Sequence, residues 1–595
     1  MTQTLDLFPI GNCAASALID RSGRFVWACT PRVDGDPAFC ALLSGDKAED
    51  QGFWSVDVED RASVRQHYVR NTPILVTEIT DKSGGVVEIT DFAPRYRQFG
   101  RVYRPMAFVR KVRPLSGAPR IRIRMRPMVN WGEAPAAITT GSNHLRYVGG
   151  EMTLRLTTEA PVSHIRDERL FRLEEPFSMF LGPDEGFDAD VAATTERMLS
   201  ETTQYWRGWV RTLSVPLEWQ EAVIRAAITL KLCAHEETGA IVAALTTSIP
   251  EHEGSQRNWD YRYCWLRDAY YVVQALNRLG AADLLENYLV YLRNVIDSAK
   301  GGHVQPLYGV GLEPSLVERF AEHLPGYRGM GPVRVGNQAH EHLQHDVYGQ
   351  IVLSTVQAFF DQRLFRPGAV EDFRALEPVG ERAFELHDKP DASLWEFRGR
   401  ENVHTYSAVM CWAACDRLGN AAQQLGLMER ADYWNDRAAQ VRETIETCAY
   451  NEKLGRFAAT FGGEELDASL LQLVDVRFVS PEDPRMAATI KAVEAGLRRG
   501  PYMLRYAVPD DFGEPKTAFN ICTFWLIEVL HMSGRGQEAR DLFEEMLGRR
   551  TAAGLLSEDI TLDGAELWGN YPQTYSLVGL INCANMLSRP WTSVR

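Results

Sequence analysis

Leu217-Glu-Trp-Gln-Glu-Ala-Val-Ile-Arg-Ala-Ala-Ile-Thr-Leu-Lys-Leu232 marks the change of character in the chain. Trp219, Val223, Ala226, Ala227 and Leu230 recur at three- and four-residue intervals, the spacing of one helix face. Thr194 to Leu213 has the same period just before it. Downstream it returns in 266–279, 282–298, 345–360, 404–418, 431–447, 481–498, 517–533, 537–547 and 575–587. About twelve helices in the last ~380 residues suit six helical hairpins closed into an (α/α)6 barrel, with a loop-built pocket at the ends of its inner helices. Helix count alone does not separate such a toroid from a bundle, but the short repeat of a solenoid is absent.

Upstream the period is two. Ile74-Leu-Val-Thr-Glu-Ile-Thr80, Gly85-Val-Val-Glu-Ile-Thr90, Ile121-Arg-Ile-Arg-Met-Arg126 and Met152-Thr-Leu-Arg-Leu-Thr157 partly alternate and are separated by turns such as Asp81-Lys-Ser-Gly-Gly85. This spacing predicts an antiparallel β-sandwich. The expected organisation is a sandwich over 1–190, a helical linker over 191–215 and a catalytic barrel over 216–595. A chain of 595 residues exceeds one ordinary core, as this division requires.

Composition narrows the function. Hydrophobic residues make up 45% and charged ones 24%, the mix of a folded globular protein. The formal charge of −15 and the lack of a Lys/Arg run argue against nucleic acid and anionic membranes as partners, whereas a neutral sugar is compatible with any charge. The ten cysteines are scattered without a C-x-x-C pair, which argues against a zinc ribbon or a dense disulfide framework. The first ten residues lack a basic stretch followed by an apolar one, and no 18 apolar residues run together, so the expected location is cytoplasmic.

Three segments carry candidate chemistry. Gln256-Arg-Asn-Trp-Asp-Tyr-Arg-Tyr-Cys-Trp-Leu-Arg-Asp268 sets aromatic rings beside Arg267 and Asp268 at the mouth of a helix. Flat ring faces and charged groups that take hydroxyls in pairs are what a sugar site needs, though a capped helix with core-filling aromatics has the same composition. In Ser393-Leu-Trp-Glu-Phe-Arg-Gly399, Glu396 lies between two aromatics, whose desolvation favours a protonated carboxyl that donates to a leaving oxygen; a solvated glutamate paired with Arg398 is the alternative. Glu558, in Gly554-Leu-Leu-Ser-Glu-Asp-Ile560, follows an apolar pair and precedes the aromatic loop Glu566-Leu-Trp-Gly-Asn-Tyr-Pro-Gln573. Alone it suits a helix cap or a surface acid, but with Glu396 it completes the pair of carboxyl groups that glycosidic hydrolysis needs. His340-Glu-His-Leu-Gln-His345 breaks the H-E-x-x-H spacing at Gln344, so no metal is expected there. Neither a phosphate-binding P-loop nor a G-x-S-x-G elbow occurs.

At these segments the sequence resembles glycoside hydrolase family 15, the glucoamylase family, and its bacterial branch of two-domain glucoamylases and trehalases. Pro9-Ile-Gly-Asn-Cys13, Gly23-Arg-Phe-Val-Trp27, Pro31-Arg-Val-Asp-Gly35, Gly326-Tyr-Arg-Gly329, Pro332-Val-Arg-Val-Gly-Asn337 and Gln344-His-Asp-Val-Tyr-Gly349 extend the likeness over nearly the whole chain. The resemblance implies a β-sandwich followed by an (α/α)6 barrel. It also implies hydrolysis of a short α-glucoside with inversion, releasing β-glucose from a non-reducing end without cofactor or metal. By the same resemblance Glu396 is the general acid and Glu558 the general base, with carboxyl groups expected about 6.5 to 9.5 Å apart to leave room for water. Tyr261, Trp265, Arg267 and Asp268 line the subsite of the departing glucose, Trp395 stands beside the acid, and Arg505 in Leu504-Arg-Tyr506 matches, more loosely, an arginine near the scissile bond.

One position departs from the pattern. Fungal glucoamylases carry a second acid directly after the catalytic one; here it is Phe397, which puts a preference for malto-oligosaccharides over trehalose or isomaltose in doubt. Two rivals remain at this stage: a phosphorylase on the same barrel, which would want a phosphate cradle in place of Glu558, and a non-catalytic glucan-binding protein. The sequence does not give the oligomeric state.

Overall fold

The computed structural model describes residues 3–187, 189–299 and 302–594. In chain order the sandwich strands are β1 (Phe8–Gly11), β2 (Ser16–Ile19), β3 (Phe25–Thr30), β4 (Asp36–Phe39), β5 (Phe53–Val58), β6 (Arg61–Tyr68), β7 (Leu75–Asp81) and β8 (Val86–Phe92). They continue as β9 (Phe108–Ser116), β10 (Arg120–Arg126), β11 (Ala137–Thr140), β12 (His144–Val148), β13 (Leu154–Thr158), β14 (Phe171–Arg172) and β15 (Phe177–Pro183). One sheet runs β1-β2-β3-β5-β10-β14 with β4 also on β3, and the other runs β11-β12-β13-β15-β9-β8-β7-β6. The pairings are antiparallel, as period-two alternation requires of sheets with one wet face. On β10 the alternation is literal: Ile121, Ile123 and Met125 are buried while the arginines between them point outward.

The two sheets are joined by a buried arginine as well as by aromatic packing. Phe25 of β3 meets Phe108 of β9 edge-on at 5.5 Å. Beneath them Arg110 donates to both Asp91 oxygens at 2.7 and 3.0 Å, to the Trp54 carbonyl at 3.0 Å and to the Gly23 carbonyl at 2.5 Å, crossing from one sheet to the other. Both side chains are 0% exposed. Burial pushes the Asp91 carboxyl up and Arg110 opposes the rise. Removing one partner leaves a buried unpaired charge, so Arg110→Met is expected to cost about 3–5 kcal/mol in urea unfolding, with part recovered when Asp91→Leu is added. A loss below about 1 kcal/mol would mean that Asp91 finds another donor.

Apart from one short turn of helix at Val162–Arg166, the helices begin with α1 (Val191–Arg211), N-capped by Asp190, whose Oδ1 accepts the Ala193 amide at 2.8 Å. After it come α2 (Gln220–Leu232), α3 (Leu266–Arg278), α4 (Ala282–Ala299), α5 (Asp346–Val356), α6 (Val370–Leu386), α7 (Thr405–Gln424) and α8 (Met428–Cys448). The series ends with α9 (Gln472–Asp475), α10 (Pro484–Leu497), α11 (Asn520–Met532), α12 (Gly536–Gly548) and α13 (Thr574–Leu587). α3, α5, α7, α9, α11 and α13 touch in succession, and α13 packs back on α3, so the inner ring closes as an (α/α)6 barrel. Outer helices lie against them: α2 on α13, α4 on α3, α6 between α5 and α7, α8 on α7, and α12 on α11.

The inner helices are apolar almost all round, as α11 is from Asn520 to Leu530, whereas outer α8 buries only Ala431, Trp434, Ala438, Val441 and Ile445. α6 is absent from the helices expected from sequence. Phe373, Leu376, Val379 and Ala383 give it a regular buried stripe, but Pro378 sits inside it and reads as a break. The ninth helix also escaped, being a single turn preceded by a 3-10 turn at Ala468–Leu471.

The sandwich docks on the barrel through backbone acceptors. Trp27 Nε1 donates to the Leu245 carbonyl at 2.8 Å, Tyr571 Oη to the Leu7 carbonyl at 2.7 Å, and Arg262 Nη1 to the Gly35 carbonyl at 2.7 Å. The last of these supports the 256–268 segment from behind. All ten cysteines are free thiols. Among the described residues no helix is long and apolar enough to cross a membrane.

Candidate active site

The loops that enter five of the six inner helices converge at one end of the barrel on a cleft of ≈ 860 Å³, open mouth included. Trp259 to Asp268 precede and open α3, Asn337 to His342 precede α5, Leu394 to Arg398 precede α7, Arg505 to Phe519 precede α11, and Gln573 and Tyr575 open α13. Among the described residues none of the lining comes from the sandwich.

The segment 261–265 holds both predicted catalytic carboxylates. Trp265 Nε1 donates to Glu396 Oε1 at 2.7 Å, and Tyr261 Oη donates to Glu558 Oε1 at 2.6 Å. The Tyr261 and Trp265 rings meet edge-on at 5.4 Å, so one aromatic pair links the two glutamates. Arg267 and Asp268 follow in the first turn of α3, where the helix N-terminus favours the aspartate charge. Arg267 Nη1 donates to the Leu394 carbonyl at 2.9 Å, and Nη2 lies 3.5 Å from Glu396 Oε1. Its Nε and Asp268 Oδ2 are 3.3 Å apart but lack hydrogen-bond partners in the protein. Both residues line the cleft. Burial pushes the Asp268 carboxyl up to about 6, with Arg267 opposing the rise and Glu396 adding to it.

Glu396 is placed by a strained loop. It has φ +62° and Ser393 has φ +64°, left-handed values that non-glycine residues adopt at a cost of about 1–3 kcal/mol. Buried Asp391 holds this loop, accepting the Ser393 amide at 3.1 Å, the His345 amide at 2.8 Å and the Ser407 hydroxyl at 2.7 Å. Trp395, next to Glu396 in the chain, has Nε1 on Asp467 Oδ2 at 2.9 Å and its ring against Tyr506, Phe519 and Trp525.

Glu558 is 0% exposed and lies within the wall, behind the Tyr261 hydroxyl. Its Oε2 accepts the Asn570 amide at 3.2 Å. Gly569, at φ +74°, is packed so closely that an added Cβ would sit 2.6 Å from Glu558 Cβ, which fixes the carboxylate from that side. Burial and the neighbouring Glu251 push the Glu558 carboxyl well above the usual carboxylate range. Arg505 does line the cleft, but its guanidinium is bound to Glu251.

Several lining residues were not singled out from sequence. Trp259 and Arg257 lie inside the first quoted segment, and Asp510, Asp511 and Phe512 form a turn whose Asp-Asp-Phe-Gly composition was the available signal. Arg257 clamps Asp510 through two bonds of 2.6 and 2.5 Å, and Phe512 meets Trp259 edge-on at 5.1 Å. Arg398 Nη2 donates to Glu318 at 2.9 Å while its guanidinium lies 4.7 Å from the Trp259 ring centre. His342 reaches the cleft, whereas His340 bonds the Asn337 carbonyl at 2.8 Å.

A closed six-hairpin barrel whose loop-built cleft joins two glutamates, aromatic rings and an Arg-Asp pair is the architecture of a sugar-cleaving enzyme. The glycosyl hydrolases family 15 model matches residues 219–585 and a trehalase-like N-terminal model matches residues 6–171; the chain belongs to glycosyl hydrolase family 15 and is a glycoside hydrolase acting on α-glucosides. It is 29% identical to a trehalase of Thermoplasma volcanium over 97% of this chain and 92% of that one. It is 30% identical to the trehalase of Mycobacterium tuberculosis over 95% of this chain and 87% of that one. A bacterial glucoamylase crystallised with acarbose shares the fold with a TM-score of 0.69 at 14% identity, covering 98% of this chain and 94% of its own.

Proposed function

We propose that the protein is an inverting, exo-acting hydrolase that releases glucose from the non-reducing end of a short α-glucoside, with trehalose as the principal substrate. The observation that carries this reading is the pairing of Glu396 and Glu558 on Trp265 and Tyr261. Glu396 lies in the cleft wall with one oxygen held by Trp265, leaving Oε2 to protonate the glycosidic oxygen. Glu558 takes a proton from the attacking water, and Arg267 and Asp268 hold the hydroxyls of the departing glucose. The full-length likeness to trehalases supports the substrate.

The charge pattern of the cleft supports hydrolysis over phosphorolysis. Arg257 is paired with Asp510, Arg398 with Glu318, Arg505 with Glu251, and Arg267 lies against Asp268 and Glu396. A phosphate would have to displace a carboxylate to reach any of them. The reading is tested by the anomers formed from α,α-trehalose, followed by NMR. Inversion gives one β-glucose from the attacked ring and one α-glucose from the leaving ring. Two α-glucoses would show retention, and glucose 1-phosphate in phosphate buffer would show phosphorolysis.

Chain-length preference follows from Phe397. Its ring packs against Tyr506 at 5.3 Å and His404 at 6.0 Å, so position 397 itself offers no charged acceptor to an outer sugar. A charged hydrogen bond is worth about 1.5–3 kcal/mol, and long chains depend on outer contacts more than disaccharides do. kcat/KM for trehalose is therefore expected to exceed that for soluble starch by about tenfold or more. Side-by-side kinetics at equal enzyme check this, and a preference for starch would show that other wall residues bind the outer sugars.

A further inference from the structure

Glu251 ends a buried run, Ala240 to Pro250, and reaches the cleft with only 1% of its surface exposed. Its Oε1 accepts Trp259 Nε1–H at 3.2 Å, its Oε2 is bound by Arg505, and Arg257 Nε lies 3.8 Å from the same oxygen. On its other side, one oxygen each of Glu251, Glu558 and Asp559 lies within 4.8 Å of the others. Glu558 and Asp559 are 0% and 1% exposed, and Asp559 Oδ2 has no hydrogen-bond partner. Thr517 donates to Asp559 Oδ1 at 3.1 Å. The groups that face Glu558 are therefore the Tyr261 hydroxyl, the Asn570 amide, the carboxyls of Glu251 and Asp559, and the Arg505 cation, which acts on it at longer range.

Arg505 is bound directly within this group of three buried carboxyls, while Arg257 stands farther off and is paired with Asp510, so where Arg505 sits decides which carboxylate is neutralised. With Arg505 bound to Glu251, Glu558 keeps its basicity. Paired directly with Arg505, Glu558 would be a weak base, since a carboxylate held by a guanidinium gives up much of its affinity for a proton. We infer that Glu251 is a positioning residue for catalysis: it holds Arg505 away from Glu558 and keeps a fixed negative charge beside the base, and so sets the pH at which the enzyme works. This rests on Glu558 being the base.

The test is the pH dependence of kcat on trehalose for Glu251→Gln, Glu251→Asp, Arg505→Gln and Glu558→Gln, with each variant's fold checked by thermal melting. A base works in its deprotonated form. Losing the negative neighbour eases that ionisation and moves the acid limb to lower pH, by at least about one unit in Glu251→Gln. Arg505→Gln removes the cation and moves the limb up, while Glu251→Asp restores most of the original profile. A purely structural role would lower kcat at all pH values without moving the limb, and that result overturns the inference. So does rescue of Glu251→Gln by azide, which would make Glu251 itself the base. Near-normal turnover in Glu558→Gln would instead remove the base assignment, an outcome separable from the other two.

Discussion

Glu396→Gln and Glu558→Gln are each expected to lower kcat on trehalose by at least ~10² while leaving the fold intact, the scale of losing acid or base assistance. The two losses differ in what repairs them. α-Glucosyl fluoride carries a leaving group that needs no proton, so it is expected to restore turnover in Glu396→Gln but not in Glu558→Gln. Azide attacks without a base, so it is expected to form β-glucosyl azide in Glu558→Gln and to do little for Glu396→Gln. The geometry makes this contrast worth measuring, because burial raises Glu558, a property commonly associated with a proton donor. If the fluoride repairs Glu558→Gln instead, the acid and base are exchanged.

Arg267→Lys is expected to lower kcat/KM by about 10²–10³, the equivalent of two charged hydrogen bonds at about 1.5–3 kcal/mol each, discounted for what one ammonium still supplies. The guanidinium has a fixed fork in which Nη1 is used on the Leu394 carbonyl, which orients it, while Nε remains without a partner beside Asp268 Oδ2. A lysine ammonium can meet either the loop or the sugar, not both in this geometry. The loss is expected in KM as well as kcat, because Arg267 also approaches Glu396 at 3.5 Å. Wild-type kinetics in Arg267→Lys would show that Asp268 alone carries the hydroxyl contacts.

Much of this was legible in the sequence because period and composition are local. The alternation of Ile121-Arg-Ile-Arg-Met-Arg126 and the helical spacing around Val223 each reflect a single element with one buried face. The sixth helix was lost where Pro378 overrides its stripe, since a proline breaks the expectation before tertiary packing can restore it. At the site, Trp265, Arg267 and Glu396 stood out as dense runs of sugar-binding residue types. Glu251 did not, because an isolated acid after an apolar run carries no signal until folding sets it against Arg505 and Glu558. The sequence pairs Glu558 with Glu396 as the two carboxyl groups of one pocket, and the chain folds Glu558 into the wall behind Tyr261. Burial of this kind depends on contacts made across the closed ring, which no window of neighbouring residues contains.

The donors that grip Glu396 and Glu558 come from Tyr261 and Trp265, four residues apart on one continuous backbone. A stretch of that length spans at most roughly 14 Å, and it is short enough to serve as a gauge block between the two working groups. The loops that deliver the glutamates are 162 residues apart in sequence, one before α7 and one between α12 and α13, yet each glutamate is referred to the same ruler. A shift of the 261–265 backbone therefore disturbs both glutamate contacts together, whereas a shift in either glutamate's own loop disturbs one of them.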